Sequence, residues 1–118
     1  MKELTQPEAN LMLAELVYPE YKIGIVGGTV RCYNHDMDAY IYFNAIHDSN
    51  DTIKSLEAFG KHNARMWHHD PDGWSVMVMS DESYKDRFTA QHTNLNVAIC
   101  TSLCSALTGE QVTIKDEA

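Results

Sequence analysis

Between Asn94 and Gly109 the chain reads NLNVAICTSLCSALTG, without a single Asp, Glu, Lys or Arg, in a protein whose formal net charge is -8. Leu95, Ile99, Leu103, Ala106 and Leu107 recur at helical spacing. Thr93 or Asn94 can cap the start, and Gly109 stands where a helix stops, so a helix is predicted over 94–108. A helix with no charged face has nowhere to lie but inside, and it is expected to be the central packing element. A membrane span is disfavoured, because Gln91, His92, Asn94 and Asn96 fall within the uncharged segment from Thr89 to Gly109 and would be costly in hydrocarbon.

The remaining sequence suits a soluble domain. Its 118 residues fit one unit spanning 1–118, and a hydrophobic content of 44% is enough for a core. Seventeen acidic residues against nine basic ones argue against a phosphate-backbone partner, which needs clustered Lys and Arg. The opening MKELTQPEAN has no apolar leader, and three cysteines are an odd number, so a reducing, cytoplasmic setting is expected.

Local signals divide the chain into three helices and two hairpins. Thr5 and Glu8 have the spacing of a capping box and Pro7 suits a first turn, predicting a helix over Gln6–Val17 with Ala9, Leu13, Leu16 and Val17 inward. The run YKIGIVGGTVRCY alternates around Gly27-Gly28 as a hairpin does, and AYIYFNAI is a strand or covering segment. A second helix over about 51–61, capped between Ser49 and Asp51, is expected to face inward through Ile53, Leu56 and Phe59. Ala64–His69 and Trp74–Ser80 form the second hairpin around Asp70-Pro71-Asp72-Gly73. Asp81 to Gln91 reads as a polar loop with strand character at Arg87–Thr89, and Val112 with Ile114 as a short edge strand or a frayed tail.

Several constellations could carry chemistry, and each has a plainer reading. Cys100 and Cys104 share one side of the last helix, yet small apolar Cys is common in buried helices. His68 and His69 are adjacent strand residues pointing to opposite faces, so they do not share a metal readily. His35-Asp36 and His47-Asp48 pair imidazole with carboxylate as general-base chemistry requires, and His62 and His92 complete the histidines. Gly27-Gly28 lacks the residues that complete a phosphate loop, and no nucleophile elbow surrounds any serine. Cys32 falls in a strand rather than at a thiolate-stabilising helix start. No catalytic, cofactor-binding or metal residues and no cofactor are assigned. Trp67, Trp74, Tyr40, Tyr42, Met66, Met77 and Met79 are candidates for an adaptable contact surface.

The succession of WSVMVMS, a polar segment and NLNVAICTSLCSAL resembles the C-terminal half of small phage and prophage proteins grouped as the phage ABA-sandwich domain. The Ala98-Ile99-Cys100 run carries the match, and Thr101 stands where that family typically has arginine. The segment Leu13-Ala14-Glu15-Leu16-Val17 is similar in kind. The resemblance implies a helix/sheet/helix sandwich working inside a bacterial cell, with no catalytic residues to carry over. The combined expectation is an α+β domain, mainly antiparallel sheet from two hairpins with about three helices. Its expected role is a non-catalytic phage accessory protein that binds a host protein or, as a homodimer, a second copy of itself. Two alternatives stand: a module holding a nucleotide-like or other small molecule near Gly27-Gly28 or the histidine loops, and a metal enzyme using several of His35, His47, His62, His68, His69 and His92.

Overall fold

The computed structural model describes residues 2–60, 64–69, 71, 73–79 and 87–116. In chain order the elements are β1 (Lys2–Leu4), α1 (Gln6–Val17), β2 (Lys22–Val26), β3 (Thr29–Asn34), β4 (Ala39–Phe43), α2 (Ser49–Phe59), β5 (Ala64–His69), β6 (Gly73–Met79), β7 (Arg87–His92), α3 (Leu95–Thr108) and β8 (Val112–Ile114). The α+β class is as expected, and the predicted hairpins are present. They belong to two separate three-stranded antiparallel sheets, β2-β3-β4 and β5-β6-β7, each completed by a third strand. A third pairing, parallel, joins β1 to β8 through Lys2 with Val112 and Leu4 with Ile114. The expected loop before α3 is strand throughout Arg87–His92, since Thr89, Ala90 and Gln91 continue the ladder against β6. Asp70, Asp72, Ser80, 81–86 and His62 lie outside the described residues.

Helix α1 packs on the first sheet, α3 packs on β6, β7 and β8, and the three helices pack on one another. Helices α1 and α3 therefore sit between the two three-stranded sheets, the reverse of the helix/sheet/helix layering that the resemblance implied. One hydrophobic core joins these layers, drawing Val30, Cys32 and Phe43 from one sheet, Val76 and Val78 from the other, and Ala9, Leu13, Leu56, Ile99 and Leu103 from the helices. Burying each Val, Leu, Ile or Phe among them is worth roughly 1.5–3 kcal/mol.

The inner faces of the helices are more polar than expected. In α1 the buried stripe is Gln6, Ala9, Asn10, Leu13 and Ala14, while Leu16 and Val17 are half-buried. Asn10 is inside because its amide bridges: Nδ2 donates to Asn44 Oδ1 at 3.1 Å, and Oδ1 accepts from Ile46 N at 3.3 Å. The reciprocal capping box is formed, with Glu8 N donating to Thr5 Oγ1 and Thr5 N donating to Glu8 Oε1. In α2 the cap is Asp48, one residue earlier than expected, accepting from Asn50 N at 2.9 Å. Its inner face is Asp51, Thr52, Ser55 and Leu56, whereas Ile53 is 52% exposed. Asp51 is buried because its Oδ2 accepts from Asn44 N at 3.0 Å, fixing the loop after β4.

Helix α3 meets a different neighbour on each side, which explains its lack of charge. Ser102 Oγ donates to Val76 O at 2.8 Å on the sheet side, and Ser105 Oγ accepts from Val112 N at 3.1 Å on the β8 side. Cys104 Sγ approaches Ala9 O at 3.9 Å on the α1 side. Ala98, Ile99, Cys100, Ser102, Leu103, Cys104 and Ser105 are all buried, so enclosure extends beyond the expected stripe, while Leu107 at its outer end is 38% exposed. Asn94 caps the start by accepting from Asn96 N and Val97 N, and Gly109 takes the left-handed conformation at the stop.

Candidate functional site

The outer face of the first sheet follows from the two-residue period of strands. Register places Ile23, Cys32 and Ile41 in one inward row and Ile25, Val30 and Phe43 in the next. The alternate residues must then face outward: Lys22, Tyr33 and Tyr40 in one row, Gly24, Arg31 and Tyr42 in its neighbour. Gly27 and Gly28 form the two-residue turn, both with positive φ, as a tight hairpin of this twist requires. The Gly-Gly pair thus has the structural role expected of it.

Lys22, Gly24, Val26, Arg31, Tyr33, His35 and Tyr40 line a groove of about 320 Å³ on this face. The Arg31 guanidinium lies 4.5 Å from the Tyr40 ring centroid, a cation–π contact. Tyr33 stands 5.1 Å from Tyr40 and meets His35 edge-on at 4.6 Å. The Tyr33 hydroxyl donates to Asp38, which raises the phenol's pKa. Arg31 Nε is shut off from solvent and has no hydrogen-bond partner among the described residues.

A second cleft, about 390 Å³, collects side chains from the starts of all three helices: Gln6 of α1, His47 before α2, and His92 and Asn94 before α3. Gln6 Nε2 donates to the carbonyls of Lys115 and Asp116, which leaves Gln6 Oε1 to accept from His47 Nε2 at 3.0 Å. Asn94 N donates to His92 Nδ1 at 2.9 Å, so the ring proton sits on Nε2 and faces Asp116 Oδ1 at 3.3 Å. Both ring nitrogens of His92 are thus engaged in hydrogen bonds.

The remaining histidines are dispersed. His35 sits beside the groove, whereas His68 and His69 lie on opposite faces of β5, His68 against Trp74 and His69 against Trp67. Among the described residues no three His, Cys, Asp or Glu come together as a metal would require. Cys32, Cys100 and Cys104 are buried, unpaired thiols. Burial pushes the Cys104 thiol up to about 12 and Cys100 well above its ordinary value, with Cys104 adding to the latter. Burial and then Asp51 raise Cys32.

The expected contact residues divide between two patches. Tyr40 and Tyr42 are more than half exposed on the first sheet, and Met66 and Trp67 are exposed on β5. Trp74 and Met77 are half-buried and Met79 is buried, so these three are withdrawn from the surface. Sequence reasoning overlooked Lys22, Arg31 and Tyr33, although their outward alternation was legible; the missing information was that β4 pairs beside β3 and brings Tyr40 to Arg31. It also overlooked Gln6, whose burial follows from pairing with residues more than a hundred positions away.

No family model matches the chain, and no curated protein matches it. A phage protein from Bacillus cereus ATCC 14579, solved by crystallography at 2.0 Å, is similar over 91% of this chain and 91% of its own, with a TM-score of 0.64 and 11% sequence identity. The α+β arrangement is thus shared with a phage protein, and at that identity the likeness is one of fold. The resemblance to the sandwich family is not carried by any matching family model. No described helix is long and apolar enough to cross a membrane.

Proposed function

We propose that this chain is a phage- or prophage-derived accessory protein that works without catalysis, by binding another protein through β5. The fold likeness to a phage protein supports the first part. The observation that carries the second is that Met66 and Trp67, neighbours on opposite faces of one edge strand, are 40% and 41% exposed. Met66 is in register with the buried Val76 and belongs to the inward face, but α3 lies against β6 and β7 and stops short of covering it. β5 is the end strand of its sheet, and among the described residues no strand pairs with its outer row of N–H and C=O groups; a further strand added there would be gripped by apolar side chains on both faces. The partner is a host protein or a second copy of the chain.

The test is native mass of the purified protein together with a pull-down from its bacterial host, run on wild type and on Met66→Glu/Trp67→Glu. A homodimer or a recovered protein that the double variant loses supports the reading. A partner or dimer retained equally by the variant overturns it. A second reading, a module that holds a small molecule, is favoured by one specific observation: the first-sheet groove, where Lys22, Arg31, Tyr33 and His35 converge.

A further inference from the structure

We propose that the groove on the outer face of the first sheet binds a planar aromatic ring bearing an anionic group, carboxylate or phosphate. The proposal rests on the small-molecule reading and gives it a ligand class.

The anion follows from charge and from one unsatisfied atom. In a chain with seventeen acidic residues and nine basic ones, Lys22 and Arg31 both line this groove. The nearby Asp38 carboxylate already accepts the Tyr33 hydroxyl. Arg31 Nε is a desolvated donor with no acceptor among the described residues, a costly arrangement at rest. A small rotation of the guanidinium off Tyr40 would present its Nε edge to an incoming oxygen pair, the two-pronged geometry that carboxylates and phosphates share. The same rotation uncovers the Tyr40 ring face.

The ring follows from what surrounds the cations. Tyr33, Tyr40 and His35 supply aromatic surface within one groove, suited to stacking a planar group. Space for it comes from Gly24, directly across from Arg31, where an added Cβ would meet no atom within 4 Å. The volume of about 320 Å³ falls at the lower end of small-ligand sites, which run roughly 300–1,000 Å³.

Calorimetric titration at low salt with four probes tests the proposal: adenosine 5′-monophosphate, benzoate, adenosine and inorganic phosphate. The monophosphate, benzoate or both should bind, telling phosphate from carboxylate, with adenosine and phosphate weaker by about tenfold or more, the worth of one charge-assisted contact. Arg31→Gln should weaken the ring-bearing anion by a similar factor. Gly24→Val, a β-branched residue in a strand, should abolish binding while leaving the thermal midpoint intact. Failure of both ring-bearing anions to bind wild type, equal binding of adenosine and its monophosphate, or indifference to Arg31→Gln would overturn the proposal. Native mass spectrometry of protein purified from cells separates the two levels. A neutral or cationic compound displaced by Gly24→Val removes the ring-anion class but keeps the small-molecule reading; no retained compound and no probe binding removes both.

Discussion

Ser102 of α3 donates its hydroxyl proton to the carbonyl of Val76 in the central strand of the second sheet, 2.8 Å away, with Ser102 fully buried. Helix and sheet are thus joined by a hydrogen bond at a point of close backbone approach that a larger side chain would prevent. Ser102→Ala should cost about 1 kcal/mol, the worth of one hydrogen bond, and Ser102→Leu more, about 1–3 kcal/mol from overpacking. Urea unfolding of both variants checks the order; a Leu variant as stable as wild type would contradict the close contact.

The enclosure of α3 is tested by contrast along its length. Ile99 is 5% exposed and Leu107 is 38% exposed. Ile99→Asp places an unpaired charge in the core and should cost more than about 4 kcal/mol, enough to unfold a marginal domain, whereas Leu107→Ala should cost well under half as much. Circular dichroism melts of the pair decide it.

Gly73 and Gly24 should behave oppositely. At Gly73, φ is +93° and an added Cβ would come within 2.6 Å of the His92 carbonyl oxygen and the Thr93 Cα, both backbone atoms that cannot easily yield. Gly73→Ala is therefore expected to cost about 1–3 kcal/mol through strain and displacement of β7, while Gly24→Ala costs nothing measurable or stabilises slightly. Thermal midpoints measured side by side check this.

The buried thiols set a limit at alkaline pH. Below the ordinary thiol value of 9.0 the folded and unfolded chains both hold the Cys104 proton, and the group adds no pH dependence. Between 9 and about 12 the unfolded chain releases that proton and the folded one keeps it, so stability falls as pH rises. The slope approaches about 1.4 kcal/mol per pH unit for each such thiol. Unfolding free energies across this range should fall less steeply in Cys104→Ala than in wild type, and folded protein at pH 8 should resist alkylation at Cys100 and Cys104.

Thr5→Ala removes one half of the capping box and should cost about 1 kcal/mol, with Thr5→Ser recovering most of it. The backbone and side-chain hydrogen bonds from Thr5 lower the Glu8 pKa. Glu8 therefore contributes stability above its ordinary value of 4.5 that is lost as pH falls through its lowered folded value. Acid titration of stability in wild type and Thr5→Ala should show this difference.

What was legible in the chain was what neighbouring residues decide. The Thr5/Glu8 box, the Gly27-Gly28 turn and the Gly109 stop all depend on local hydrogen bonds and φ angles, and α1 and the hairpins lie where those residues put them. What was illegible depends on distant partners. Asp51 reads as a helix-cap candidate and Asn10 falls outside the apolar stripe of its helix, and their burial follows only once Asn44 and Ile46 are placed beside them. Ile53 reads as core by hydropathy, but Thr52 donates to the Ala45 carbonyl outside the helix, and Ser55 satisfies its hydroxyl on the Asp51 carbonyl one turn back, so both can take the inner face. The groove was half visible: Lys22, Gly24 and Arg31 alternate correctly, while the contact of Arg31 with Tyr40 needs the third strand.

The parallel pairing of β1 with β8 has a consequence for how the chain reaches its fold. Six residues at opposite ends of the sequence form it, Lys115 N also donates to Leu4 O at 2.9 Å, and Gln6 clips the same segment. Almost every other element is therefore a loop within one ring of chain. The hairpins and helices can form early from near neighbours, but closing the ring carries the entropy of the whole intervening length and is expected late in folding. Because Gln6, Ser105 and Asp116 touch both the clasp and the starts or flanks of α1 and α3, opening it would release the two helices that hold the sheets together, and the molecule should unravel from its ends inward.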